Sequence, residues 1–279
     1  MSETIWDKMQ NVDRRVFYWI LFVLLMVPFV IPLGLGVKVT PPTRDLYEGI
    51  TAPQVEPGDV AIINFGFGVS AWPECMPGTV VCVKALFREG VKLIFMGPHT
   101  DVSLTWAQIQ EHASNDFATK EYGEDYVYLG YITGGDSAIA QLASSIRSVY
   151  PTDAYGTPLD DIPMMENVDG WEDIELVLSS DTGDWGIFFL TQWQSTYGTR
   201  LAEIGIAMLG SSGMPRYLAG NYFGLSIGSR GGAELELLIG EPGEATTAMD
   251  SISVSHLYIV IVVIIGNIGY FATKSRGGN

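Results

Sequence analysis

Basic residues are scarce in this chain. It carries 15 lysines and arginines against 32 aspartates and glutamates in 279 residues, a net charge of −17. Five of the basic and three of the acidic residues lie outside positions 37–254, so that central stretch holds a net −19. A field of this sign repels polyanions, which excludes nucleic acid as a partner and disfavours anionic lipid head groups. It suits either a surface kept soluble at high salt or a cation-rich partner surface. Cysteine is scarcer still. Cys75 and Cys82 are the only two, and their C-x6-C spacing is neither a zinc knuckle nor a redox C-x-x-C pair. Two buried free thiols are expected, with a strained bridge as the alternative. No HxH, HExxH or DxD cluster is present, so no metal is expected, and no G-x-S-x-G elbow marks a hydrolase nucleophile. Internal repeats and low-complexity segments are absent too.

Charge is missing altogether from two long apolar runs, one at each end. Residues 16–36 hold no charged side chain, enough at 1.5 Å per residue to cross a bilayer core of roughly 30 Å. Residues 255–273 form the second run, ending IVIVVIIGNIGYFAT. The first is too long for the apolar core of a signal peptide and has no small-x-small cleavage site behind it, so it reads as a retained anchor. Pro28 and Pro32 within it favour a kink. Lys8, Arg14, Arg15, Lys274 and Arg276 flank the outer ends of the two runs; only Lys38 and Arg44 flank the inner ends. The positive-inside rule then puts both termini in the cytoplasm and the central domain outside. The expected organisation is an N-terminal segment (1–15), a membrane helix (16–36), an acidic α/β domain (37–254), a second membrane helix (255–273) and a tail (274–279). Gly266, Asn267 and Gly269 form a small-residue patch where another membrane helix could approach.

Between the anchors, short apolar runs alternate with amphipathic ones. DVAIINFG, VKLIFMG, EDYVYLGYI, IELVLSS, RLAEIGIAML and YFGLSIGS read as strands. TVVCVKALFREG, LTWAQIQEHASNDFATKEYG (Leu104, Ile109 and Phe117 inward), GGDSAIAQLASSIRSVY, DWGIFFLTQWQSTYG, MPRYLAGN and GGAELELLIG read as helices. Leu46, Ile50 and Val55 suggest a short docking helix ahead of them. Residues 150–173 are rich in Pro, Asp and Gly and lack periodicity; they are a functional excursion or a packed surface loop. The alternation predicts a doubly wound, mainly parallel sheet of about six strands, Rossmann-like or flavodoxin-like.

Ligands of such sheets bind beyond the carboxyl ends of the strands, so the strand-end loops hold the candidates. After the first strand, Gly66, Gly68 and Ala71 spell G-x-G-x-x-A. Pro73 and the Pro77-Gly78 pair argue against a helix start that could hold a pyrophosphate. The second strand ends without the acidic residue that would bind a ribose. No cofactor is therefore expected. His99 and Asp101 follow the second strand and could form a base with its orienting carboxylate, or a solvated loop. Gly134, Gly135, Asp136 and Ser137 follow the third, with Asp136 or Ser137 expected to cap the next helix. Asp181 and Asp184 follow the fourth; either Asp181 or Thr182 caps a helix, or Asp181 and Asp184 share a cation with His99 or Asp136. Arg230, in a glycine-rich loop, either binds an anion or pairs with the surrounding acids.

PPTRDLYEGI, EYGEDYVYLGYITGGDSAI, YPTDAYGTPLDDIPMM and GSRGGAELELLIG, in this order before a C-terminal apolar helix, resemble an uncharacterised family of prokaryotic membrane proteins. The resemblance implies a Rossmann-like domain between two terminal membrane helices and carries no activity or catalytic residue. The expectation is a membrane-anchored binding or scaffold subunit of a membrane-protein assembly or homo-oligomer, in contact with lipid. The alternative is a membrane-tethered enzyme or small-ligand sensor that uses the strand-end loops.

Overall fold

The computed structural model describes residues 12–31 and 33–276. The expected segments before Val12 and after Arg276, and Pro32, lie outside the described residues. Residues Val37–Thr246 form one compact unit. Its six strands are β1 (Val60–Gly66), β2 (Lys92–Gly97), β3 (Tyr126–Tyr131), β4 (Leu176–Asp181), β5 (Arg200–Gly205) and β6 (Gly224–Ile227). They pair in the order β3-β2-β1-β4-β5-β6, all parallel. This is the Rossmann doubly wound order, with its switch point between β1 and β4. Both faces are covered, which is why the strands read as continuous apolar runs.

On one face, β1, β4 and β5 present Ile63, Phe65, Leu178 and Ile204 to three helices: α2 (Pro41–Gly49), α3 (Trp72–Arg88) and α4 (Val102–His112). On the other they present Ile62, Val177 and Leu201 to α5 (Gly135–Ser144) and to α6 (Trp185–Phe189) with the π turn Leu190–Gln194 that extends it. Trp193, in that turn, is fully buried and donates its indole N–H to Ile139 O at 3.0 Å. The unit is completed by α7 (Gly210–Leu218) and α8 (Gly228–Ile239), the latter on the first face through Leu235.

Three local expectations are corrected. The helix after β1 starts at Trp72 and runs through Pro77-Gly78, where the sequence suggested a break. Pro77 has no N–H for the Pro73 carbonyl, and the Ser229 hydroxyl takes that carbonyl at 3.0 Å. A side chain from α8 thus replaces the missing helical bond. Leu104 points outward at 55% exposure, because the buried face of α4 is Val102, Thr105, Trp106 and Ile109. After β5 the strand pattern stops at Gly205; residues 207–209 form a 3-10 turn leading straight into α7. The loop at 150–173 is packed, with Leu159, Ile162, Met164, Met165 and Val168 buried. Arg147 holds it by donating to the Val168 and Met165 carbonyls.

The second compact unit comprises the described residues of 12–36 and 247–276. Here α1 (Arg14–Val30) covers about 25 Å, short of a bilayer core, and the chain from Leu33 to Thr40 is non-helical. The expected helix over 16–36 is thereby shortened. The helix α9 (Glu244–Arg276) begins well before residue 255. Its first backbone N–H groups are claimed by the Glu236 carboxylate, which accepts from Ala245 N at 3.0 Å and Thr246 N at 2.8 Å. Among the described residues α9 is the one helix long and apolar enough to cross a membrane. The two helices run antiparallel: the Tyr258 hydroxyl donates to Phe17 O, and the Ser251 hydroxyl to Leu25 O. Asp250, fully buried, closes the pair by accepting from Leu33 N, Gly34 N and Leu35 N at 2.9–3.0 Å. Such a carboxylate on three consecutive N–H groups needs a tight chain reversal, and Gly34 supplies it at φ +63°.

Candidate crevice at the sheet switch point

The switch point brings the loops after β1, β2, β4 and β5 together at the carboxyl edge of the sheet. They enclose a cavity of about 570 Å³ lined by Gly68, Val69, Ser70, Ala71, Glu74, His99, Thr100, Asp101, Thr182 and Ile206. Parallel pairing of β1 with β2 and β4 sets this meeting, since all three strands end at one level. Of the residues expected from sequence, Gly68, His99 and Asp101 line the cavity. Gly66 lies behind them at the end of β1. A Cβ there would come within 2.9 Å of Ser180 O and 3.1 Å of Asp181 Oδ1, so glycine is required by the close approach of β4.

Asp101 reaches across from the β2 loop and accepts from Val69 N at 2.9 Å. Glu74, in the first turn of α3, accepts from Ala207 N at 2.7 Å and ties the β5 loop to α3. No hydrogen bond joins His99 to Asp101 among the described residues; both lie against Gly68, whose Cβ position is 3.4 Å from His99 Nδ1 and 3.1 Å from Asp101 Oδ2. The expected base with an orienting carboxylate is therefore not assembled. The crevice has no lysine or arginine in its lining, and its Gly-rich turn spends the Val69 N–H on a carboxylate. Pro73 removes one more N–H from the first turn of α3 and Glu74 adds a negative charge there. A dinucleotide pyrophosphate would lose the Val69 and Pro73 N–H donors and meet an unfavourable field from Glu74 and Asp101.

The remaining candidates fall elsewhere. Asp181 is fully buried and turns its carboxylate onto Gly183 N at 2.8 Å and onto Gly186 N, so it organises the start of α6. Burial pushes its pKa up against the pull of those N–H groups. Gly134 caps α5 through its backbone, with no side-chain cap from Asp136 or Ser137. Asp136 instead accepts from Gln192 Nε2 at 3.0 Å. Arg230 pairs with Glu234 at 2.9 Å, one helical turn along α8, and Glu234 in turn accepts from Thr40 N and Oγ1. No group of three or more metal-ligating side chains occurs among the described residues. Cys75 and Cys82 are free and buried. Burial drives the Cys75 thiol up to about 12 and raises Cys82 further, which removes both as thiolate nucleophiles. In α9, Asn267 donates to Val263 O of its own helix, and the Cβ position of Gly266 meets no described atom within 4 Å.

Glu74, Ser70 and Ile206 escaped the sequence reading, and Thr182 entered it only as a cap; its hydroxyl instead donates to Gly66 O at 3.2 Å. Glu74 was hidden because Pro77-Gly78 suggested a later helix start; an acid three residues past a Gly-rich turn is the signal that marks it. No protein-family model, curated protein or solved structure matches this chain.

Proposed function

We propose that this chain is a membrane-anchored binding module whose switch-point crevice takes a small, non-anionic molecule rich in hydrogen-bond donors. The observation that carries this reading is the convergence of four strand-end loops on a polar cavity of about 570 Å³, within the size range of small-ligand sites. Its walls offer acceptors: one oxygen each of Asp101 and Glu74 lies free of the backbone bonds they make, beside the hydroxyls of Ser70, Thr100 and Thr182. Hydroxyl or ammonium groups complement such walls, and phosphates do not. The absence of an assembled nucleophile–base pair favours binding over catalysis.

The anchoring half of the proposal is a two-pass anchor, α9 crossing the membrane as a helix and α1 crossing it together with the non-helical residues 33–36, with the termini cytoplasmic and the α/β domain outside. The antiparallel Tyr258–Phe17 and Ser251–Leu25 hydrogen bonds support the pairing. A scaffold role in a membrane-protein assembly or homo-oligomer is the second reading. The open flank at Gly266 of α9 favours it, since a small residue there admits a neighbouring helix.

The test is thermal unfolding of the full chain in nanodiscs against a panel of polyols, amines and dinucleotides. A donor-rich ligand at 100 times its Kd should stabilise by about 2.7 kcal/mol. Asp101→Asn should weaken that effect, and NAD, FAD and ATP should give none. Stabilisation by a dinucleotide alone would overturn the reading. Protease accessibility on spheroplasts decides the sidedness.

A further inference from the structure

We infer that the ligand of this crevice is an amphiphile, with its donor-bearing head on the polar walls and its apolar chain laid over the rim. The inference rests on the crevice reading above and adds the chemical class of the ligand. Two large apolar side chains line the cavity, and three more are exposed along the same carboxyl edge of the sheet. Val69 is 42% exposed and lines it directly. Ile206 lines it from the β5 loop, and Met208, two residues on, is 78% exposed. Leu104 is 55% exposed, and its N–H is bonded to the carbonyl of the lining residue Asp101. Tyr131 at the end of β3 is 48% exposed on the same edge.

Scattered surface apolar residues need no explanation, but two that line a polar cavity, with three more exposed along the same sheet edge, do. The rim is also held in place rather than frayed. Ala207 N is tied to Glu74, Val69 N to Asp101, and Leu209 N to Ile206 O. The side chains are therefore presented by fixed backbone, as a preorganised contact surface is. Polar walls below and apolar side chains at the lip match a molecule whose polarity changes along its length. A plain sugar or amine would leave Val69, Ile206 and Met208 wet, whereas an alkyl chain leaving the crevice covers them. A bilayer-tethered chain meets such molecules at high local concentration, from the lipid or from solution.

The experiment uses the full chain in phosphatidylcholine nanodiscs with an environment-sensitive dye on Ser103→Cys, an exposed rim position; the native thiols are buried. Methyl, butyl and hexyl glucoside are titrated, together with methyl-, butyl- and hexylammonium, and hexyl phosphate as the anionic control. Affinity for one head series should rise with chain length, up to about fourfold per methylene covered. Leu104→Ser with Met208→Ser should flatten that rise while leaving the methyl compound's affinity within about twofold. Both positions are exposed, so the double variant should keep its fold. Equal affinity for methyl and hexyl compounds overturns the amphiphile inference and leaves the crevice reading standing. Saturable binding of hexyl phosphate alone, or of no compound in either head series, overturns both. A dye response on doping the nanodisc with a glucosyl lipid identifies the bilayer as the source; a response to added hexyl glucoside only identifies solution.

Discussion

Glu203 offers the sharpest quantitative test of the fold. It sits in β5, 1% exposed, on the face covered by α6 and α7. A Cβ at Gly186 would lie 3.6 Å from its carboxyl carbon, and one at Gly213 would lie 3.6 Å from Oε2. The two glycines therefore close over the carboxyl, and Oε2 has no hydrogen-bond partner among the described residues. Burial raises its pKa from 4.5 to about 7; the Asp181 carboxylate on the next rung adds to this, and Tyr222 and Arg216 oppose it. For an acid with a raised folded-state pKa, the folded chain holds the proton that the unfolded chain has released. Stability from this group is complete below pH 4.5, falls as pH rises toward 7, and levels off above it. The full loss is about 3 kcal/mol, at 1.36 kcal/mol per pH unit across that window. Glu203→Gln keeps the shape and removes the titration. The variant should gain about 3 kcal/mol relative to the parent between pH 4.5 and 8. Hydrogen exchange of β5 and α7 amides, corrected for intrinsic rates and followed at pH 5, 6, 7 and 8 on the full chain in nanodiscs, reads this difference. Parallel pH profiles for parent and variant would refute the reasoning, as would a variant that weakens relative to the parent as pH rises.

Three further outcomes follow from the packing. Gly224→Ala drives a methyl into the Leu46 backbone, and should cost more than about 3 kcal/mol by forcing α2 off β6, read as a drop in melting temperature and loss of hydrogen-exchange protection across residues 37–246. Asp250→Asn keeps one acceptor oxygen for the three N–H groups of Leu33, Gly34 and Leu35 and brings an amide donor against the rest. About 1–3 kcal/mol should be lost from the helix pair, visible as increased protease cutting between residues 31 and 40. Cys75 and Cys82, at 0% and 1% exposure, should stay unmodified by maleimide in the native chain at pH 7 and react together on unfolding; rapid labelling of either in the folded state would contradict their placement.

Much of the fold was legible. Six apolar strand runs, the helix read in GGDSAIAQLASSIRSVY (observed as 135–144 and 146–149, broken at Ser145), and the docking segment at Leu46 and Ile50 are present. The errors arose where a tertiary partner overrode a local signal. Pro77 reads as a helix breaker until Ser229, about 150 residues on, supplies the missing donor to Pro73 O. Asp136 reads as a cap until Gln192 draws its carboxylate aside. His99 and Asp101 leave a base with its orienting carboxylate open beside a solvated loop, and Val69 N claims the carboxylate. Each competing group comes from another strand-end loop or helix, and local periodicity carries no information about it.

The sequence by itself determined the β–α alternation, the acidic character of the central domain and the two apolar ends, because these depend on composition and short-range spacing. Only the tertiary structure decided that β1 lies between β2 and β4, and hence that the loops of residues 66–71, 97–101, 181–184 and 205–207 meet at one edge. It also decided which face each strand residue occupies. With both faces buried, the two-residue alternation that would reveal the faces is erased, so the cross-strand row of Asn64, Ser179 and Glu203 appears only once the register is set. The apolar run at 16–36 had length enough to span a bilayer, yet the helix ends at Val30, and the Asp250 carboxylate holds the turn that follows it. A partner distant in the chain settles what a hydrophobic run alone leaves open.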